Sequence, residues 1–253
     1  MELNLRGKKA LVTGGTRGIG RAIAEGFAFE GCDVGICARD AEQVKDAVTA
    51  LRAMGVEAAG EALDVADTAA TRRWIANMDQ ALGGIDIFVA NVSALGTVNE
   101  EASWRRSVEV DLLGTVNAIN AVLPILERSK AAAIVMIITS GAVQVFGPPT
   151  PYPAVKAANL AHMKYLSAHL APQGIRVNAV SPGSIYFEGG VWDQRRQNEP
   201  ERYERMLKLN PMGRFGRPEE IASAVLFLAS PISGFTSGTN LVVDGGSTVR
   251  IQN

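Results

Sequence analysis

A short apolar run, Lys9-Ala-Leu-Val-Thr13, leads directly into Gly14-Gly-Thr-Arg-Gly-Ile-Gly20, and a helical pattern over residues 21–30 follows and stops at Gly31. Strand, glycine turn and helix in immediate succession form an arrangement that cradles phosphate. Glycine permits the tight turn and the close approach of backbone to a ligand. The helix N-terminus presents unpaired N–H groups and a partial positive charge. The spacing here, Gly14-x-x-x-Gly18-x-Gly20, differs from the usual G-x-G-x-x-G fingerprint. In its strand-to-helix setting it still reads as a dinucleotide turn.

The same alternation continues along the chain. A strand over 33–38 is followed by Arg39, Asp40 and a helix over 41–54; a strand over 56–65 is followed by a helix near 68–82. Residues 85–90 form a strand that runs into Asn91-Val-Ser-Ala94, and 103–126 read as one long helix with Pro124 near its end. Residues 133–138 are continuously apolar, the mark of a strand buried on both faces, and they end at Thr139-Ser140. A helix over 152–172 ends at Gly174, a strand over 176–180 runs to Ser181-Pro-Gly183, and residues 184–215 are the least regular part. A helix over 218–229 opens with Pro218-Glu-Glu220, and 241–243 is the last strand. The pattern predicts an α/β fold: one doubly wound Rossmann-type domain over 1–253, a mostly parallel seven-stranded sheet with helices on both faces, and a mobile substrate loop at about 184–215. Ligands of such sheets sit beyond the strand C-termini. Gly14, Asn91, Ser140 and Pro182 all follow strand C-termini, so four separate segments converge on one rim.

Tyr152 and Lys156 lie four residues apart, one helical turn on one face. A lysine ammonium there would favour the phenolate and pull the tyrosine below its ordinary value of about 10. A tyrosine so tuned exchanges a proton with an alcohol or carbonyl oxygen. The hydroxyl of Ser140 would hold the same oxygen. At the end of the second strand, Arg39 suits the 2′-phosphate of NADP, with Arg17 adding charge; Asp40 is either the ribose acid that NAD prefers or the cap of the next helix. NADP(H) is therefore favoured and NAD(H) remains open.

Composition narrows the function classes. Net charge is −1, which does not favour nucleic acid or an anionic membrane surface. Residues 1–9 contain no apolar signal region and no apolar run reaches about 18 residues, so a cytoplasmic place without a membrane span is expected. Cys32 and Cys37 are expected to point to opposite faces as reduced packing residues, with no metal site. His162 and His169, without an acidic neighbour, read as structural, and Arg195-Arg196 with Arg202 and Arg205 as a solvated helix face. Trp192, Tyr186, Phe187, Met206 and Phe215 could line a mainly apolar substrate pocket.

Together these residues make the chain similar to the short-chain dehydrogenase/reductase family. The marks are Thr13-Gly-x-x-x-Gly-x-Gly20, Asp64, Asn91, Ser140, Tyr152-x-x-x-Lys156, Pro182-Gly183 and Leu241-Val-Val-Asp-Gly-Gly246, spread over nearly the whole length. The resemblance implies an NAD(H) or NADP(H) cofactor and oxidoreduction between a small-molecule alcohol and its carbonyl. It implies Tyr152 as general acid/base, Ser140 as the carbonyl-holding hydroxyl, and Lys156 as the residue that lowers the tyrosine pKa and bonds the nicotinamide ribose. It places Gly14, Thr16, Arg17, Gly18, Ile19, Gly20, Arg39, Asp64, Val65, Asn91, Pro182, Gly183 and Ile185 around the cofactor, with Asp64 by the adenine and Asn91 by the ribose. It also implies a homotetramer built through the helices near 111–126 and 154–170.

The chain departs from the family at several points. Ala90-Asn-Val-Ser93 replaces Asn-Asn-Ala-Gly, so the backbone approaches the cofactor less closely. Asp111 stands at the place of an asparagine that serves the proton relay, and it is expected to pair with Lys156. Phe187 stands at the place of a threonine. The loop between Ser140 and Tyr152 is one residue short, which makes Thr139 a rival for the serine role; Ser140 is preferred because it fits the strand end without a gap. Pro153 is expected at the first helical position, with Tyr152 at the boundary. These departures also motivate a second reading, a dinucleotide-binding regulator or scaffold that has lost turnover; intact Ser140, Tyr152 and Lys156 argue against it.

Overall fold

The computed structural model describes residues 2–251. Strands β1 (Lys9–Thr13), β2 (Asp33–Ala38), β3 (Ala58–Ala62), β4 (Ile87–Ala90), β5 (Ala133–Ile137), β6 (Arg176–Pro182) and β7 (Asn240–Val243) pair in the order β3-β2-β1-β4-β5-β6-β7. Every pairing is parallel. The central strands are apolar because both faces are covered: all five residues of β5 are buried, and Leu11 of β1 faces one layer while Ala10 and Val12 face the other.

Helices α1 (Gly18–Phe29), α2 (Ala41–Ala53) and α9 (Pro218–Ala229) cover one face, packing Phe27, Leu51, Ile221 and Val225 against the sheet. On the other face, α3 (Thr68–Leu82), α5 (Gly114–Leu126) and α6 (Pro151–Leu170) contribute Trp74, Ile75, Ile119, Val122 and Met163. Cys32 belongs to the first layer and Cys37 to the second, as the strand alternation predicts, and both are free thiols. Burial pushes each thiol up to about 12, so both are inert packing groups.

Local chemistry explains the helix ends. Asp40 caps α2 by accepting from Glu42 N and Gln43 N, and Asp67 caps α3 by accepting from Ala70 N. Gly83 closes α3 in the left-handed conformation, φ 70°. Arg176 of β6 completes the other end of α9: its guanidinium donates to Leu228 O at 2.5 Å, Ala229 O at 2.9 Å and Ser230 O at 3.1 Å, carbonyls that the helix leaves unpaired.

Three expectations change. The long helix starts earlier and is not uniform: α4 (Glu101–Ser107) passes through a π-helical segment (Val108–Leu113) into α5. The 26 residues Glu101–Leu126 are apolar enough in length and composition to span a membrane; Ala118, Ile119, Val122 and Leu126 lie in the core under the sheet, which accounts for that composition. Pro151, not Pro153, takes the first helical position of α6, with Thr150 as N-cap. Both prolines fit because the first turn has no intrahelical use for their N–H groups, and Tyr152 N donates instead to Gly96 O at 3.2 Å. The irregular 184–215 segment contains two helices, α7 (Val191–Asn198) and α8 (Pro200–Leu209).

Candidate active site

The strand order reverses between β1 and β4, and the crevice outside their C-termini is where the glycine turn lies. Gly14 and Gly18 have φ of +68° and +53°, values that L side chains avoid. Gly20 is fixed by space: a Cβ there would lie 2.1 Å from Gly14 O. Asn91 ties the turn from the β4 side, donating through Nδ2 to Thr13 O at 2.9 Å and Gly14 O at 3.3 Å. Thr13 Oγ1 accepts from Asn91 N at 2.9 Å and Val92 N at 3.3 Å. The Asn91 side chain is thus spent on the turn. With the α1 N-terminus beside this cradle, the residues present fit a dinucleotide pyrophosphate. Phe187 closes the far side: its ring tip fits between Gly18 and Gly190, where an added Cβ would come within 2.5 and 2.9 Å of it.

At the end of β2, Asp40 is engaged as a helix cap, and Thr16 Oγ1 donates to Gln43 Oε1 at 3.3 Å. Arg39, the next residue after β2, is exposed. Asp64 lies close enough to feel Arg39 and pairs with Arg106 of α4; it also accepts from Ala66 N at 3.0 Å. These contacts hold its carboxyl below the usual carboxylate range against the opposing effect of burial. Arg106 was invisible to sequence reasoning, because 42 residues separate the pair and no motif contains it. Val65 is buried against Gly114, Gly183 packs on Asp244, and Ile185 bridges to Gly216, so these positions also frame the rim.

Tyr152, Lys156 and Asp111 come together beneath the rim. Lys156 is 2% exposed and Asp111 fully buried, with Nζ and Oδ1 3.6 Å apart. Nζ also donates to Ile137 O at 3.0 Å and Val92 O at 3.3 Å. Asp111 Oδ2 accepts from Ala94 N at 2.8 Å, and its carbonyl accepts from Asn159 Nδ2 at 2.7 Å. The π-helical turn aims both groups inward; such turns concentrate at functional sites. Burial pulls the Lys156 ammonium below the ordinary lysine value, and Asp111 offsets part of that pull.

One expectation changes here. Tyr152 is not lowered: burial pushes it up to about 12, a hydrogen bond with Thr139 opposes this, and the Asp111 charge adds to it. The ammonium donates to two carbonyls and stands beside a carboxylate. β5 ends at Ile137, one residue before the expected strand end. Thr139, the rival for the serine role, lies against the phenol, while Ser140 is buried at the start of a 3-10 turn (Ser140–Ala142).

Helices α7 and α8 follow Phe187 in the chain. Trp192 and Phe215 rings lie 4.9 Å apart, and Tyr203 meets Phe215 edge-on at the same distance. Arg195, read from sequence as solvated, covers the Trp192 ring at 4.7 Å. Tyr186 donates to Asp193 Oδ1 at 2.7 Å. Met206 is half-buried and pairs with neither ring system. His162 Nε2 is buried without a partner among the described residues, and no group able to hold a metal occurs among them.

A doubly wound parallel sheet with a glycine turn at its switch point and a Tyr/Lys pair on the neighbouring rim defines an oxidoreductase that uses a dinucleotide. Comparison with known proteins agrees. The family model described as enoyl-(acyl carrier protein) reductase matches residues 14–248. The chain is 38% identical to isoepoxydon dehydrogenase patN of Penicillium expansum over 252 residues, 98% of this chain and 97% of that protein. It superposes on the crystal structure of L-sorbose reductase from Gluconobacter frateurii complexed with NADPH and L-sorbose with a TM-score of 0.90 at 28% identity, covering 99% and 100% of the two chains. A short-chain dehydrogenase from Burkholderia cenocepacia in complex with NADP gives a TM-score of 0.85 at 30% identity, covering 96% and 99%. The chain belongs to the short-chain dehydrogenase/reductase family and is an oxidoreductase acting on CH–OH groups.

Proposed function

We propose that this enzyme interconverts a small oxygenated ketone and its secondary alcohol with NADP(H), using Tyr152 as general acid/base. The observation that carries the reading is the Tyr152 phenol at the C-terminal rim of the sheet, with the Thr139 hydroxyl on one side and the Lys156–Asp111 pair below. With Tyr152 at about 12, the phenol keeps its proton through neutral pH. It is then equipped to donate to a carbonyl oxygen when the reaction runs as a reduction. The dinucleotide, when bound, supplies hydride to the carbonyl carbon. The protein's part is to hold the ketone oxygen between the Tyr152 and Thr139 hydroxyls and deliver the phenolic proton to it; the phenolate regains a proton from solvent. Lys156 and Asp111 fix the loop after β4, because Lys156 holds Val92 O and Asp111 holds Ala94 N. The departures Val92 and Asp111 are therefore built into the site, which supports turnover over a silent binding role.

NADP(H) is supported by Arg39 with Asp40 turned away into its cap, and by the NADP(H) complexes of similar proteins. A small oxygenated ketone is supported by the names of the isoepoxydon dehydrogenase and the sorbose reductase. In the family these enzymes assemble as tetramers, and we propose the same for this chain in the cytoplasm, with light scattering as the check. The test of function is NADPH consumption with a panel of ketoses and hydroxylated cyclic ketones. Thr139→Val should lower kcat/KM by about tenfold or more, and Ser140→Ala should do less. The reverse ranking returns the carbonyl-holding role to Ser140, and NADPH binding without turnover on any ketone refutes the reading.

A further inference from the structure

Past β7 the chain turns back over the catalytic rim. Asp244 closes that turn: its carboxylate accepts from Gly246 N at 3.0 Å and Thr248 N at 2.7 Å, and its carbonyl accepts from Ser247 Oγ at 2.9 Å. Asn210, buried at the end of α8, donates to the same carbonyl at 3.2 Å. Residues 247–250 then run beside Val143 and Gln144. The Gln144 carboxamide binds the tail backbone in both directions, donating to Ser247 O at 3.3 Å and accepting from Val249 N at 2.8 Å. Arg250 Nη1 donates to Val143 O at 3.1 Å.

Gln144 is the last residue of the turn that carries the Thr139 hydroxyl. Val143 N and Gln144 N both donate to Ser140 O at 3.1 Å, and Ala142 N donates to Thr139 O at 3.0 Å. A three-residue 3-10 turn has poor hydrogen-bond geometry and little stability of its own. The chain beyond it, Val145 to Pro149, is exposed and holds one glycine and two prolines. A group that must meet a carbonyl within about 0.5 Å needs an outside hold. The tail is the segment that provides one.

We propose that residues 247–250 form a strap that sets the position of the Thr139–Gln144 turn, and that Gln144 is the positioning residue through which it acts. The strap also links the turn to the end of α8, since Asn210 and the tail share the Asp244 carbonyl. The catalytic consequence rests on the reading of Thr139 and Tyr152 given above; the mechanical link does not.

The test is a double-mutant cycle read by amide hydrogen exchange on the full-length protein, Gln144→Ala, a chain ending at Gly246, and both together. Exchange in a peptide covering 139–146 should rise in each single variant and no further in the double. Gln144→Glu keeps the acceptor for Val249 N and should fall between. If the shortened chain does not fold, Arg250→Ala and Gln144→Ala in the intact chain remove two parallel ties, so exchange at 139–146 should rise in each and furthest when both are lost. Turnover of the working ketone should fall about ten- to a hundredfold in kcat, with the Kd for NADP(H) unmoved. Unchanged exchange at 139–146 in the shortened chain, or in the Arg250→Ala/Gln144→Ala chain, overturns the strap, as does full additivity of the shortening and Gln144→Ala. Coupled exchange in a protein that reduces no ketone leaves the strap standing and overturns the proposed function.

Discussion

The two ends of this site are held by opposite means. At the glycine turn, position is set by what is missing: Gly20 has no Cβ where Gly14 O would be 2.1 Å away, and the ties from Asn91 are to neutral carbonyls. At the catalytic end, position is set by charge: a buried ammonium and a buried carboxylate 3.6 Å apart, each anchored to backbone from other elements. The first arrangement tolerates no added atom but is indifferent to pH. The second keeps its shape only while both charges are present, because removing one leaves the other buried and unpaired.

The largest effect should come from the steric end. Gly20→Ala drives a methyl into backbone, and we expect a loss of about 3 kcal/mol in folding stability together with loss of measurable dinucleotide binding. Denaturant melts and calorimetric titration with NADPH check this; a variant of native stability and affinity would show that the turn gives way. Tyr152→Phe tests the charged end. It should reduce kcat by about two orders of magnitude or more with NADPH affinity kept, and near-normal turnover would remove the phenol from the mechanism.

Much of the steric end was legible in the sequence. Glycines at fixed spacing after a strand announce themselves, as does the Pro218-Glu-Glu220 helix start, while Asp40 could be read as a cap or as a ribose acid until the fold decided. The charged end was legible only in part. Tyr152, Lys156 and Asp111 could be named, but the field they generate depends on Ile137 O and Val92 O, backbone acceptors brought in by the fold. Nothing in Val108–Leu113 signals a π turn. The choice between Thr139 and Ser140 hinged on where β5 ends, and a strand boundary is not legible to one residue in the sequence. The helices α7 and α8 are short and polar, so the sequence showed a solvated helix face at Arg195–Arg205 but not two bounded helices.

A finer comparison lies within the cofactor crevice. Arg39→Ala should weaken NADP(H) by about one to two decades while leaving NAD(H) nearly unchanged, the scale of one charge-assisted bond of roughly 1.5–3 kcal/mol. Equal losses for both cofactors would take the 2′-phosphate away from Arg39 and shift the preference toward NAD.

The smallest and most diagnostic effect concerns Asp111→Asn. The Asp111 charge raises Tyr152, so removing it lowers the phenol from about 12. Oxidation of the alcohol needs the phenolate, so its rising limb in kcat/KM should move to lower pH. Reduction needs the phenol, so it should lose its plateau at lower pH than the parent enzyme does. Unmoved profiles in both directions would mean that Asp111 acts through its carbonyl bond to Asn159 alone.

The strand order has a consequence for how the protein is made. β1 borders β2 with Lys9 opposite Asp33, and borders β4 with Ala10 opposite Ile87. During synthesis the first three strands can assemble from the opening 62 residues, yet one edge of β1 stays open until β4 has emerged. Asn91, which ties the glycine turn, arrives with that strand. The glycine turn and its Asn91 tie therefore emerge before the proton-transfer groups of β5 and α6, while Phe187, which closes the far side of the cradle, emerges only after β6.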